Sequence, residues 1–289
     1  MGILAPASRV DIAILEPAFQ TLRNWGLEVV LGETLTRQFH QFAGTDAERA
    51  ADVQQFLDDV SIRAIFAARG GYGSSRLIER LDFSIVRQNP NWLIGFSDIT
   101  ALHGHLNRLG VESIHAAMPK TFGLDETGLS VETLRRALFG ETLDYQLSTN
   151  SLNRFGTGVG AVVGGNLCVF NHLLGSASEV ETRGKILFLE DIDEYLHATD
   201  RYFVQLKRAG KLAHLAGLLA GSFSDVKDNP DAPFGFTPYE LIAEHVAGYD
   251  YPVVYGFPVG HEAANRALIC GRRAELSVTS SGVRLTFEA

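Results

Sequence analysis

The chain has 289 residues, 46% of them hydrophobic and 20% charged, and a formal net charge of −9. It is long enough to bury a large core without a disulfide or metal staple. An acidic balance with no run of basic residues and no interleaved aromatic stripe argues against nucleic acid and anionic membrane as partners. The two cysteines, Cys168 and Cys270, sit beside apolar residues with no CxxC or Cys/His ligand spacing, so they read as buried, reduced thiols. The N-terminus carries no basic n-region, and Pro6 and Asp11 interrupt any apolar stretch there. No apolar run approaches membrane-spanning length, and Pro6 stands where a myristoylation signal wants Ser or Thr. The expectation is a cytoplasmic protein with no lipid anchor, metal or cofactor.

In chain order the first half alternates strand-like and helix-like pieces. Strands are predicted over Ile3–Ala5, Leu27–Leu31, Ala64–Ala68, Trp92–Phe96 and Ser113–Ala117. Helices are predicted over Pro17–Trp25, Asp46–Val60, Ser74–Arg80, Asp98–Leu109 and Val131–Phe139. Apolar strands alternating with helices imply a parallel sheet covered on both faces. The polar stretch Leu143–Gly160, rich in Ser, Thr, Asn and Gly, breaks the rhythm. It suggests an N-terminal α/β domain over 1–145, a linker over 146–160 and a second domain over 161–289. The second half opens on Ala161–Asn166 and a helix through Leu174. Strands at Lys185–Leu189, Leu215–Ala220 and Pro252–Tyr255 and helices at Thr199–Ala209 and Pro238–Val246 follow. The tail, Ala267–Glu288, reads as short strands around a Ser280-Ser281-Gly282 turn, so this half is richer in antiparallel β structure.

Chemistry concentrates where strands end. Ile94-Gly95-Phe96-Ser97-Asp98 passes from an apolar strand directly into a helix start, which puts the Ser97 hydroxyl on the carboxyl edge of a parallel sheet. Backbone N–H groups of the first turn then face whatever Ser97 attacks. The bland alternative is an N-cap, a role that suits Ser97 or Asp98. A nucleophilic Ser needs a base and an orienting acid. Of nine histidines, His261 leaves a strand in the loop Gly256–Glu262, where rigid scaffolds present catalytic side chains. His103, His105 and His115 lack the i, i+4 or i, i+3 pairing of a helical metal site. Glu190, Asp191 and Asp193 all follow the apolar strand Ile186–Leu189, and spacing does not separate them. Arg69-Gly70-Gly71-Tyr72-Gly73 ends the strand before Ser97; its glycines suit an oxyanion hole or a phosphate site, but neither GxGxxG nor a following Gly-Lys-Ser/Thr is present.

Taken together these pieces resemble the LD-carboxypeptidase family of serine peptidases, which includes muramoyltetrapeptide carboxypeptidases and microcin-C self-immunity peptidases. The landmarks are Ala5-Pro6-Ala7-Ser8, Arg69–Gly73, Ile94–Asp98, Gly164-Gly165-Asn166-Leu167, Leu187–Asp191, Asp200-Arg201 and Phe257–His261, in family order along almost the whole chain. The resemblance implies an N-terminal α/β domain carrying the nucleophile and a C-terminal β-rich swivelling domain carrying the other two groups. It implies a Ser97–His261–Glu190 triad and an oxyanion hole from the N–H of Asp98 and of Gly70 or Gly71. It also implies a cytoplasmic homodimer, without metal, that removes a terminal D-amino acid from a small cell-wall (murein) tetrapeptide. Tyr72 and Asn166 become candidate substrate contacts, and Arg201 a candidate ion-pair residue. Around His115 the chain reads His-Ala-Ala-Met-Pro where the family often has His-Gly-Pro. Four positions after Glu190 it has Glu194, where the microcin branch carries Lys; an acid there suits the free amine of diaminopimelate or Lys. Rival readings are a microcin-C-like immunity peptidase, an α/β-hydrolase esterase and a non-catalytic peptide-binding module. The esterase elbow wants GxSxG, and position 99 is Ile.

Overall fold

The computed structural model describes all residues, 1–289. Five short strands in the first half are β1 (Gly2–Leu4), β2 (Val30–Leu31), β3 (Ala64–Ala67), β4 (Trp92–Gly95) and β5 (Ser113–His115). They pair in parallel in the order β5-β4-β3-β1-β2. All four residues of β3 are buried, as expected of a strand covered on both faces. Helices α1 (Glu16–Asn24), α2 (Asp46–Asp58), α3 (Thr100–Arg108) and α4 (Leu129–Leu138) accompany the sheet. The start of α2 is fixed by a reciprocal Thr45–Glu48 capping box. The helix expected over 74–80 is instead two 3-10 turns, Ser74–Arg76 and Ile78–Arg80.

The second sheet is mixed. It contains β6 (Asp144–Leu147), β7 (Gly156–Asn166), β8 (Ile186–Ile192), β9 (Gly217–Ser224), β10 (Val253–Tyr255), β12 (Arg273–Thr279) and β13 (Gly282–Phe287), in the order β10-β9-β8-β7-β12-β13-β6. The first half of β7 pairs antiparallel with β12 and its second half pairs parallel with β8. One strand therefore joins an antiparallel wing to a parallel one. Helices α5 (Leu167–His172), α6 (Leu196–Arg208) and α7 (Pro238–Val246) pack on the parallel wing, where 17 buried residues form a separate core. No helix is long and apolar enough to cross a membrane.

Two expectations about the chain's division need correction. The expected linker over 146–160 is strand at both ends: β6 reaches Leu147 and β7 begins at Gly156, which leaves only 148–155 as the connector. Its polar alternation marks sheet residues facing water on one side, which composition does not distinguish from a connector. The second unit is also not confined to its own sheet. Strand β11 (Leu268–Cys270) pairs antiparallel with β5 and completes the first sheet. The Tyr145 hydroxyl donates to the Ala267 carbonyl just before it. A core of 51 buried residues runs from Ile3 through both sheets to Phe287.

Gly164 lies where β7 and β8 meet, opposite Phe188. Its φ of +142° and the 1.8 Å that would separate an added Cβ from the Phe188 carbonyl oxygen leave room only for glycine. Gly164→Ala is expected to lower the unfolding free energy by about 3 kcal/mol or more, through strain and overpacking together. Gly128→Ala, at φ +69° in open space, isolates the conformational part at about 1–2 kcal/mol. Urea unfolding of both variants checks the difference; equal losses would remove the packing component.

Candidate active site

Strand β4 stops at Gly95, and the backbone turns at Phe96 into a 3-10 turn, Ser97–Ile99, that leads into α3. Ser97 occupies the left-handed region at φ +63°, unusual for a residue with a side chain. This is the strained corner that lifts a side chain off the end of a strand. The corner is braced from beneath by His103, whose Nε2 lies 2.9 Å from the Gly95 carbonyl and whose Nδ1 lies 2.8 Å from Ser113 Oγ. Because a carbonyl only accepts, Nε2 carries the proton. Burial pushes the pKa of His103 down to about 4, so it braces as a neutral ring.

The partners of Ser97 come from the second sheet. His261 Nε2 is 3.0 Å from Ser97 Oγ, and its Nδ1 is 2.7 Å from Glu190 Oε2. Glu190 has no accessible surface and lies at an irregularity in the β8–β9 register, between Leu189 and Asp191. Such bulges re-aim side chains. Here two consecutive carboxylates are both buried with different partners. Glu190 faces His261, whereas Asp191 accepts from Asn166 Nδ2 at 2.8 Å and from the N–H groups of Cys168 and Ile192. The third carboxylate, Asp193, is exposed and paired with Lys227. Tertiary placement thus separates three acids that spacing left equivalent. Burial, then the charge of Glu190, pushes the Asp191 carboxyl up to about 7. Burial opposes the charged form of His261, but the charge and hydrogen bond of Glu190, with Asp191 and Asp225 adding to them, outweigh it and raise its pKa. The His261 loop closes tightly on this acid: Gly260 has φ +128°, and an added Cβ would lie 3.0 Å from Glu190 Oε2.

The glycine loop after β3 forms the facing wall. A Cβ on Gly70 would lie 3.2 Å from Ser97 Oγ and 3.3 Å from the Asp98 nitrogen. None of the backbone hydrogen bonds outside helices and strands is donated by Gly70, Gly71 or Asp98. These N–H groups are thus available to an incoming oxyanion. The loop is held by Ser8, whose N–H donates to the Gly70 carbonyl and whose hydroxyl accepts from Tyr72 N–H. Fully buried Arg49 donates to the Gly73 and Pro6 carbonyls, and its charge is paired with Asp46. The side chain of Asp98 caps the neighbouring turn, not its own, by accepting from Ser74 N–H at 2.8 Å.

The other expected substrate contacts have partners within the protein or face water. Asn166 caps α5 through Val169 N–H and spends its amide on Asp191, so both ends of its side chain are engaged within the protein. Tyr72 is 51% exposed, with its ring near Phe42. Glu194 is half-buried and accepts from the Tyr202 hydroxyl at 3.3 Å. Arg201 is exposed and enters no ion pair; its neighbour Asp200 instead meets His245 at 2.8 Å. His115 is buried beneath the His261 loop, and its Nε2 lies 3.1 Å from Asn265 Oδ1, which also accepts from Gly260 N–H. Burial, with the nearby His103, lowers the pKa of His115 to about 3. Sequence reasoning missed the supports Arg49, Asn265 and Ser222, whose hydroxyl accepts from His261 N–H at 3.1 Å. Only Ser8 among the loop's anchors lay in a recognised landmark.

Residues 1–116 match the LD-carboxypeptidase N-terminal domain and residues 159–276 the LD-carboxypeptidase C-terminal domain. A probable murein peptide carboxypeptidase of Bacillus subtilis is 34% identical over 96% of this chain and 88% of its own length. The murein tetrapeptide carboxypeptidase of Pseudomonas aeruginosa is 30% identical over 96% of this chain and 92% of its own. Among solved structures, a muramoyltetrapeptide carboxypeptidase from Oxalobacter formigenes superposes with a TM-score of 0.90 at 26% identity, covering 100% of this chain and 99% of the other. The microcin C7 self immunity protein MccF shares the fold, with a TM-score of 0.86 at 21% identity over 99% and 95% of the two chains. Both domains match in order and relatives align along nearly the full length, so the chain belongs to the LD-carboxypeptidase family.

Proposed function

We propose that the chain is a serine carboxypeptidase that releases the terminal D-amino acid from murein tetrapeptides, with Ser97 as nucleophile, His261 as base and Glu190 as its orienting acid. The observation that carries this reading is the unbroken hydrogen-bonded line from Glu190 through His261 to Ser97, at 2.7 and 3.0 Å, spanning two sheets. Family membership and the murein peptidases among the relatives supply the substrate class.

With Nδ1–H donated to Glu190, Nε2 of His261 is left as acceptor for the Ser97 proton. Ser97 Oγ attacks the carbonyl before the terminal residue. The developing oxyanion takes hydrogen bonds from Asp98 N–H and from the Gly70-Gly71 loop. The imidazolium, stabilised by Glu190, then protonates the leaving amine, and water delivered through the same imidazole hydrolyses the acyl-enzyme. Glu194, half-buried and close enough to act on Asp191, faces the cationic side chain of the third residue in this reading.

Ser97→Ala and His261→Ala are each expected to lower release of D-Ala from a tetrapeptide by about 10⁴–10⁶-fold. Both should also abolish labelling by a fluorophosphonate; release that persists in Ser97→Ala would remove the serine mechanism. The base must be neutral to accept a proton, and His261 holds its proton above the ordinary value of 6.5. The kcat/KM profile should therefore fall on the acid side with a midpoint above 6.5. In Glu190→Gln the limb should move to lower pH, with the plateau down by about 10³–10⁴-fold; an unmoved limb would assign the titration to another group. Glu194→Lys should reduce cleavage of diaminopimelate-containing peptides about tenfold relative to peptides with a neutral third residue, measured as a ratio of kcat/KM. An unchanged ratio would exclude Glu194 from substrate selection.

A further inference from the structure

The carboxyl edge of the first sheet carries a group of cations that the steps above do not use. Arg9 follows β1, Arg69 follows β3 and Lys120 follows β5, with the Lys120 N–H bonded to the Ala68 carbonyl. None of the three enters an ion pair. Arg69 is half-buried and fixed: its Nη1 donates to the Arg9 carbonyl at 2.9 Å, and its Nη2 lies 3.8 Å from where a Gly71 Cβ would be. The guanidinium therefore lies over the loop whose other glycine touches Ser97. Burial first, and then Arg9, disfavour its charge; burial and then Arg69 do the same to Lys120. Three cations gathered with no carboxylate within ion-pair distance build a positive potential that an anion would relieve.

A cavity of about 630 Å³ beside this edge is lined in part by Arg9, Arg69, Asp11 and Arg37, and by neither Ser97 nor the loop glycines. Arg37 is already neutralised by Glu33 and Glu48, and the Asp11 carboxylate accepts from Ala13 N–H. The opposite side of the site is acidic: Asp225 raises the pKa of His261, and Glu194 acts on Asp191. A peptide bound between them meets positive charge beside the oxyanion donors and negative charge beside the imidazole. In a substrate cleaved at its last bond, the terminal carboxylate is three bonds from the scissile carbonyl carbon, within roughly 4 Å of it. Only a group adjacent to the Gly70-Gly71 loop reaches that position, and of the three unpaired cations Arg69 is the one whose guanidinium lies against that loop. Its planar fork also suits a carboxylate.

We propose that Arg69, supported by Arg9 and Lys120, binds the free carboxylate of the peptide's terminal residue and thereby restricts cleavage to the chain end. This rests on the carboxypeptidase reading above, and binding to an inactive protein separates the two. In Ser97→Ala, a tetrapeptide ending in D-Ala should bind at least about 30-fold more tightly than the same peptide with a C-terminal amide. In Ser97→Ala/Arg69→Met that preference should fall below about threefold, with Arg69→Lys intermediate. Both peptides are measured on one protein, so partial unfolding lowers both signals and leaves the ratio intact. Calorimetry gives the ratio, and amidating the internal carboxylates of the peptide serves as the second arm. The proposal is overturned if the double variant keeps the preference, or if Arg69→Met removes only a preference for internal carboxylates. Should wild-type protein fail to release D-Ala while the preference and its loss are seen, the carboxypeptidase reading fails and the carboxylate site stands. Release of D-Ala with no such preference overturns the carboxylate site and leaves the carboxypeptidase reading intact.

Discussion

Glu190 is completely buried, keeps one carboxylate oxygen without a partner and gives the other to His261, so a single imidazole holds its charge inside the protein. A buried carboxylate with no Arg or Lys beside it costs several kcal/mol unless something compensates. Here the compensation comes from a ring that must also reach a serine on a different sheet. The local energetics of the acid and the relative position of the two sheets are therefore one problem. If the sheets part, Ser97 loses its hydrogen bond to His261; if the His261 loop shifts, Glu190 loses its only side-chain hydrogen-bond partner.

The architecture answers that constraint with shared structure. Strand β11 leaves the second unit to complete the first sheet, and one core runs through both. Asn265 joins the two sides, since it accepts from the His261 loop through Gly260 and lies within hydrogen-bond distance of His115 on β5. Its own N–H donates to Ser130 on α4. The hydrogen-bonded groups sit at carboxyl ends of parallel strands, Ser97 after β4 and Glu190 near the end of β8. This is the general location of sites in open α/β sheets, here made by two such edges turned towards each other.

Legibility in the sequence followed the range of the interaction. The strand-to-helix corner at Ser97, the Gly70-Gly71 turn and the strand endings near Glu190 and His261 were readable because each is local and has its own residue signature. The choice among Glu190, Asp191 and Asp193 was not readable, because it depends on a bulge and on which neighbour each carboxylate meets. The sheet content of 146–160 and the crossing of β11 were also hidden: both arise from pairing partners more than a hundred residues away. Arg49 is a similar case. Within α2 it looks like one more exposed helix charge, yet it is fully buried and holds the carbonyls of the glycine loop.

The same distinction explains why a chain of net charge −9 without a basic run still presents a positive edge. Arg9, Arg69 and Lys120 are far apart in the chain and meet only because β1, β3 and β5 end at one side of one sheet. Long-range charge is screened over about 8–10 Å in physiological salt, so the overall acidity matters less at the site than these three cations do. Half-burial of Arg69 limits screening further, and its contact with the glycine loop fixes where its field acts. Acid groups on the second sheet act on His261, while the cations on the first gather around Arg69 beside the Gly70-Gly71 loop. The division of the fold into two sheets thus also divides the charge around Ser97 and His261, and in the proposed reading this gives a peptide its direction before any side chain is recognised.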